Sequence, residues 1–512
     1  MLTIHLSIVI FLPLAAALLA AVLPGRAGRA GRWLVLAGTA GSLAYAVAMI
    51  ADLDASSAGL QYVTDIAWIS ELGIRYSLGV DGLSLFMVAL TTLLWFFATL
   101  AACLREWEHP RLFFFQLALA ETAVLGVFCA QDLALFVLFF DLTLVPFYFL
   151  VGAWGERDRV RATTKLIIYT LVGSLLMLAG AVALGVLAAQ ESGGELSFAL
   201  ADLTERTLPE GTQQWIFVLF AAAFLVKMPA FPLHGWMPDA YRAAPIPVLI
   251  LLSAVLSKLG AYGFLRVVLP ILPDASLHFQ EIVLVIAVVS ILYGSALAFS
   301  QDEARLVVGY SSVAQLGFIT LGIFSLDDLG AQGAVLQMVN HALVVGALFL
   351  VIGVLARRTG GSESLAQMGG IAMRAPVLAA LFLVVGFATL AMPGTANFIG
   401  ELLILFGAFE SKLVFGIVAS AGVALAAVYM IRFYQRAMHN RIGERVASRD
   451  LGVRELAVVA PLVLVIVALS VYPQLVLERT EAATVAKVER AQSLARGEPP
   501  AAPTAAAEGA SP

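Results

Sequence analysis

Five ionisable residues stand in apolar runs where charge is least tolerated. Asp141 lies in LFVLFFDLTLVPFYFL, Lys227 in AAAFLVKMPAFPLHGW, Lys258 in LLSAVLSKLGAYGF, His341 in QMVNHALVVG and Glu401 in MPGTANFIGELLILFGAF. A charge at the centre of a hydrophobic helix costs roughly 3 kcal/mol or more unless it faces protein or water. Bases and acids placed in this way are the ingredients of a proton or cation route. Imidazole takes and releases a proton near neutral pH. Burial lowers the proton affinity of a lysine and a neighbouring carboxylate raises it, so moving the two relative to each other loads and unloads a proton. The plainer readings are a lysine that snorkels to the surface, a structural pair, or a hydrogen-bonded core histidine.

Two of these residues adjoin helix breakers. Pro229 and Pro232 follow Lys227, and Pro393-Gly394 precede Glu401. Proline lacks an N–H and frees backbone carbonyls, and non-helical backbone at membrane depth survives only where it is buried in protein or wet. Glu121 in QLALAETAVLG and His234 beyond the first break are candidate supporting groups on the path. Arg266 reads as a snorkelling side chain. Asp141 has no basic residue within one turn, so its partner must come from another helix, and Lys227 is the candidate.

The elements that position these groups follow from composition. The 512 residues are 61% hydrophobic and 13% charged, with mean hydropathy +0.95, whereas soluble domains carry about 25% charge. The solvent must therefore be lipid. The net charge of −5 points to no nucleic acid. Cys103 and Cys129 have no metal or disulfide spacing, and no phosphate loop, haem motif or thiolate cluster is present.

Runs of about 20 apolar residues, enough to cross a bilayer, recur near 4–23, 33–51, 80–102, 112–129, 131–153, 164–188, 215–236, 246–269, 281–299, 304–325, 333–355, 376–409, 413–436 and 455–474. The expectation is an all-α polytopic membrane protein of about fourteen spans, with spans 7 and 12 discontinuous. The first run reads as a retained span and not as a cleaved signal. Arginines crowd the loops after odd-numbered spans (Arg26, Arg32, Arg105, Arg157, Arg357, Arg449), while the opposite loops hold little beyond Arg75, Arg206 and Lys412. The positive-inside rule then puts both termini outside.

Gln131-Asp132 and Gln301-Asp302, VGSLLMLAG (172–180) and VGALFLVIG (345–353), and Lys227-Met228-Pro229 and Ala391-Met392-Pro393 recur in the same order, five spans apart. An odd offset inverts the second copy, as in many transporters. This divides the chain into spans 1–3 (1–111), a first repeat (112–269), a second repeat (281–436), a last span (455–474) and a tail (475–512). In the tail, 476–496 reads as a short surface helix and 497–512 as disordered.

VDGLSLFMV (80–88), FFDLTLVPFYFLVGAWG (139–155), KMPAFPLHGWMPDA (227–240), KLGAYGFLR (258–266), GYSSVAQLGF (309–318) and NFIGELLILFG (397–407) resemble the M-type antiporter-like subunits of bacterial respiratory complex I, the family of mitochondrial NADH dehydrogenase subunit 4. The resemblance spans roughly residues 75–475. It implies inverted five-helix repeats over spans 4–8 and 9–13, and proton translocation in the bacterial cytoplasmic membrane with both termini periplasmic. It also implies that this chain carries no redox cofactor of its own. NADH, FMN, iron–sulfur clusters and quinone would be bound by partner subunits. The partners would be other membrane subunits of the complex, including the related subunits L and N, together with membrane lipid.

Position by position, the family's span 5 carboxylate falls on Asp141, its two lysines on Lys227 and Lys258, its histidine on His341 and its span 12 glutamate on Glu401. The sister subunits usually carry Lys at that last position. Three departures stand out. Asp141 replaces the usual Glu and is one methylene shorter, which implies a longer or water-bridged contact with Lys227. Gln315 replaces a histidine, which would leave span 10 to act only through water. Tyr241 and Ala243 replace titratable groups after span 7. The rival readings are a subunit of a multisubunit cation/proton antiporter or of a membrane-bound hydrogenase, and a structural spacer that does not pump.

Overall fold

The computed structural model describes residues 5–23, 28–443, 445–447 and 449–497. Arg26 and, beyond Gly497, the tail expected to be disordered lie outside the described residues. The chain opens with the helices α1 (Leu6–Val22) and α2 (Gly28–Asp52), which pack on each other. An antiparallel hairpin, β1 (Gln61–Ile69) and β2 (Ile74–Val80), then departs from the all-α expectation. Its strands carry the β-branched and aromatic residues Tyr62, Val63, Ile66, Trp68 and Tyr76, which favour a pleated surface. Gly73 turns the corner at φ 63°, a left-handed conformation that suits glycine.

Helix α3 (Gly82–Cys103) starts from a capping box. Asp81 accepts from the Ser84 N–H at 3.0 Å while the Ser84 hydroxyl takes the Asp81 N–H at 2.9 Å. Helix α4 (Pro110–Cys129) has proline at its first position, where the missing N–H costs nothing. The expected span 131–153 is broken into α5 (Leu133–Leu142) and α6 (Leu144–Gly152). Pro146 has no N–H for the Leu142 carbonyl, so the ladder is interrupted at Thr143. After α7 (Arg159–Ser192) and the short α8 (Leu200–Glu205) comes α9 (Glu210–Lys227), which ends at Lys227 instead of running on to 236. A 3₁₀ turn over Leu233–Trp236 leads into α10 (Met237–Ala243).

The span Ile246–Ile271 is assembled from α11 (Ile246–Leu251), α12 (Lys258–Gly263) and α13 (Leu269–Ile271), joined by π-type turns. The short α14 (Pro273–His278) precedes α15 (Gln280–Ser300), α16 (Ala304–Phe324) and α17 (Asp328–Arg358). The expected span 376–409 is divided into α18 (Pro376–Thr389) and α19 (Ala396–Ser411), with Pro393 in the link. Helices α20 (Leu413–Met438), α21 (Val453–Val471) and α22 (Gln474–Ala495) complete the described chain. The tail helix α22 is more than a loose surface element, since it packs against α3, α13, α14 and α17.

Among the described residues, eleven helical stretches are long and apolar enough to cross a membrane, with α1 and α18 as shorter apolar helices. The chain is a multi-pass membrane protein. The apolar stretches of α17 and of the α11–α13 run are wholly buried, so these two form the axis of the bundle. By contrast, only about a third of the residues in the apolar stretches of α2, α20 and α21 are buried, as in lipid-facing helices.

Candidate functional site

The backbone breaks place the ionisable groups. Lys227 is the last residue of α9 and is 2% exposed. Its ammonium donates to Thr143 Oγ1 at 2.9 Å and lies 4.7 Å from the centroid of the Phe140 ring. The Thr143 hydroxyl in turn donates to the Phe140 carbonyl at 2.7 Å. The interruption between α5 and α6 therefore supplies the oxygen that receives Lys227. Asp141 makes no direct hydrogen bond or ion pair with the lysine, and acts on it at the longer range that its shorter side chain implies. Its electrostatic neighbours are Ser174 and Lys227, and its buried Oδ1 has no hydrogen-bond partner. One methylene fewer than Glu leaves the carboxylate short of Lys227, and Thr143, two residues on, takes the contact.

Lys258 opens α12 directly after a π-type turn. Its Nζ lies 2.9 Å from His341 Nδ1 on α17, with Ser257 Oγ at 3.3 Å and the Ser253 carbonyl at 3.4 Å. The other imidazole nitrogen, His341 Nε2, is buried without a partner. Helices α9 and α12 pack against each other, which brings the Lys227 and Lys258 segments side by side.

Glu401, on α19, is 2% exposed. Its Oε1 accepts from Gln315 Nε2 at 2.7 Å and from Gln337 Nε2 at 3.4 Å, and Gln337 Nε2 also donates to Gln315 Oε1 at 2.6 Å. The expectation that Gln315 contributes only through water is corrected, because it binds the carboxylate directly. The close approach of α19 to α17 depends on Gly333, where a Cβ would stand 2.6 Å from the Ile404 backbone N. Glu401 Oε2 remains unpartnered, as do both amide atoms of Asn397 one turn earlier. Asn340, beside His341, donates to the Ala396 carbonyl at 2.6 Å and leaves its own Oδ1 free. Buried polar atoms of this kind need partners, and ordered water commonly supplies them.

The remaining candidates are dispersed. Glu121 on α4 is fully buried, with no hydrogen-bond partner for either oxygen. His234 lies in the 3₁₀ turn after Pro229 and Pro232, 8% exposed among the rings of Phe231, Tyr293 and Tyr310. Arg266 does not snorkel. It is buried and bonds Asp81 and Gln131. Asp81 also accepts from the Ser84 N–H at 3.0 Å, so its carboxylate is held between the helix start and Arg266. Tyr241, which replaces a titratable family residue, is buried with its hydroxyl unpartnered. Its carbonyl, with those of Arg242 and Ala244, accepts from Arg305 at 2.8–3.0 Å. Beside it opens a charged cavity of about 780 Å³ lined by Arg157, Asp239, Arg242, Glu303 and Glu363. Among the described residues, no group of three or more His, Cys, Asp or Glu could hold a metal ion.

Sequence reasoning passed over Thr143, Gln337, Asn340 and Asn397. The usable signals were Pro146 three residues after Thr143, and the four-residue spacings Gln337–His341 and Asn397–Glu401, which put each pair on one helix face.

The chain is similar in sequence and fold to known proteins. A family model described as NADH:quinone oxidoreductase/Mrp antiporter, TM, matches residues 130–426. NADH-quinone oxidoreductase subunit M of Rhodobacter capsulatus is 38% identical over 483 residues, covering 92% of this chain and 94% of that protein. NAD(P)H-quinone oxidoreductase chain 4 2 of Thermosynechococcus vestitus is 36% identical over 494 residues, covering 94% and 91%. A chain of respiratory complex I from Thermus thermophilus with bound NADH superposes with a TM-score of 0.86 at 29% identity, covering 96% of this chain and all of that one. A chain of the Mrp complex from Dietzia shares the fold, with a TM-score of 0.83 at 21% identity over 96% of this chain and 98% of that one.

Proposed function

This chain belongs to the NADH:quinone oxidoreductase/Mrp antiporter membrane-subunit family, and from that premise we propose that it is the antiporter-like M subunit of a proton-translocating NADH–quinone oxidoreductase. Lys227, Lys258, His341 and Glu401 carry the proton, and Asp141 biases the first of them. The observation that carries this reading is the 2.9 Å contact between Lys258 Nζ and His341 Nδ1, two groups that each bind a proton, set in the buried axis of the bundle. A proton passes directly between partners at that distance. Onward transfer to Glu401 runs through the unpartnered polar atoms His341 Nε2, Asn397 Oδ1 and Glu401 Oε2, which water would join.

At the other end, the Thr143 hydroxyl holds the Lys227 ammonium in place, while the Asp141 carboxylate acts across a gap. A carboxylate that moves closer raises the lysine's proton affinity, and one that withdraws releases the proton. The charged cavity beside Tyr241 offers water a way in, with Glu121, His234 and the breaks at Pro229 and Pro393 as supporting parts of the path. The chain holds no redox centre in this account. Energy arrives from neighbouring subunits that bind NADH, FMN, iron–sulfur clusters and quinone, with subunits L and N among the partners.

Counting α1, the α9–α10 segment and the α18–α19 pair as crossings brings the total to about fourteen. Residues 112–269 and 281–436 then form inverted repeats, and both termini lie outside the bacterial cytoplasmic membrane. A spacer without pumping function gains nothing from buried Lys227, Lys258 and Glu401.

Isolating the membrane complex through an affinity tag on this chain tests the assignment. The eluate should oxidise NADH with quinone. A stable complex that contains the chain and exchanges cations for protons, with no NADH oxidation, would overturn it.

A further inference from the structure

At the arginine-rich end of the bundle, four helices surround a groove of about 220 Å³. Its wall is apolar, formed by Leu104 beyond α3, Ile246 of α11, Leu350 and Val354 of α17 and Val458 of α21. Its mouth carries Arg105, Arg357 and Arg454. Here α3 and α17 end and α11 and α21 begin, so the mouth lies at the level where the membrane-crossing helices stop.

The charge at the mouth is not balanced from within. The one acidic residue lining the groove is Glu455, and its oxygens are already engaged by Arg357 at 2.9 Å, by Arg358 at 2.5 and 3.0 Å, and by the Gly452 N–H at 3.0 Å. Arg105 and Arg454 make no side-chain hydrogen bond or ion pair among the described residues. Burial, then Arg357, pushes the Arg105 guanidinium below its usual value, Glu156 pulls it back up, and Arg305 pushes it down further. Glu156 acts on Arg105 without a hydrogen bond or ion pair among the described residues, so the guanidinium's donors stay open to a further anion.

We propose that this groove binds one anionic phospholipid, with its phosphate on Arg105 and Arg454 and the upper part of an acyl chain against Leu104, Leu350 and Val458. A basic mouth at the membrane surface above an apolar cleft between helices is the form that anionic headgroup sites take. The basic mouth, with Glu455 already engaged, favours a small anionic headgroup over a neutral or basic partner. The site is independent of the proton path and leaves its residues untouched.

The test uses the purified membrane complex, stripped of lipid in neutral detergent and titrated with dioleoylphosphatidylglycerol or dioleoylphosphatidylcholine, with bound lipids counted by native mass spectrometry. The wild type should hold one more phosphatidylglycerol than the Arg105→Ala/Arg454→Ala variant, which should bind at that site about thirtyfold more weakly, as each surface arginine is worth ~1 kcal/mol. Val458→Trp, which fills the cleft and keeps the arginines, should lose the same lipid. If the alanine pair does not assemble, Arg105→Gln alone should show a roughly fivefold loss. Unchanged lipid number and affinity in these variants would overturn the proposal. So would equal binding of the two lipids at the site, or a photocrosslinker at Val459 that labels a protein chain and no lipid.

Discussion

Lys258 Nζ stands 2.9 Å from His341 Nδ1, so one hydrogen bond joins two basic side chains from α12 and α17, 83 positions apart. Two such groups share one proton more readily than they hold two, because like charges at this distance oppose each other. Lys258→Ala and His341→Ala should each lower coupled NADH–quinone turnover about tenfold, comparable to losing a charge-assisted hydrogen bond. Because the residues act as one unit, the double variant should be little worse than the poorer single one. Steady-state rates of the four forms check this, and effects that simply multiply would separate the two residues.

Glu401 is gripped on one oxygen by Gln315 and Gln337 and left free on the other. Glu401→Gln keeps the shape and removes the titrating group, so proton transfer should fail, while Glu401→Asp should retain part of it. Gln315→Leu removes the shorter donor and should fall between them, with a loss of roughly tenfold. Proton pumping by the reconstituted complex distinguishes the three. Equal pumping by the Gln and Glu forms would remove the residue from the path.

The Lys227–Thr143 contact separates geometry from charge. Thr143→Ser keeps the acceptor oxygen and should stay close to wild type, whereas the nearly isosteric Thr143→Val should lose coupled turnover. Asp141→Asn should fall well below wild type because the carboxylate charge is gone. Asp141→Glu should be mild, apart from about 1–3 kcal/mol of crowding near Phe139, Phe140 and Pro146. Coupled turnover ranks the four. An Asn form that matches wild type while Glu is inactive would mean that shape governs this position.

Asp450 caps α18 from a distant loop, accepting from the Val377 N–H at 2.9 Å and the Leu378 N–H at 3.1 Å. Burial works against its charge, but the N–H groups of Val377, Leu451 and Leu378, with Arg358, hold the carboxyl below its usual value. A depressed carboxyl contributes its full stabilisation above the unfolded value of about 3.9 and loses it as the pH falls through the lower folded value. Asp450→Ala should therefore weaken the start of α18 by ~1 kcal/mol at neutral pH, seen as faster amide exchange at Val377 and Leu378. The difference from wild type should persist down to pH ~4 and vanish only below it.

Much of this site was legible because charge in an apolar run is costly and therefore conspicuous. Lys227, Lys258, His341 and Glu401 all lie buried, and the breaks at Pro229 and Pro393 interrupt helices as their chemistry requires. The uncharged members were not legible. Thr143, Gln337 and Asn397 sit in apolar helices at small cost and do not stand out by type.

Partnerships across the bundle were the other blind spot. Opposite charges identify which helices could pair, but not the rotation or depth that decides which atoms meet, so Lys227 bonds Thr143 directly and feels Asp141 only at longer range. Arg266 looked like a snorkelling residue because its partner, Asp81, lies 185 positions earlier. The β1–β2 hairpin lies in a stretch too polar for a membrane span, where hydropathy alone does not separate a strand pair from a loop.

The account depends most on Lys227 carrying a proton. The direct measurement is acidification of the lumen of proteoliposomes holding the purified complex, followed per NADH oxidised, for wild type and Lys227→Ala. An assembled variant should show lower coupled turnover and fewer protons moved for each NADH. Wild-type values for both turnover and proton yield in the alanine form would contradict the relay.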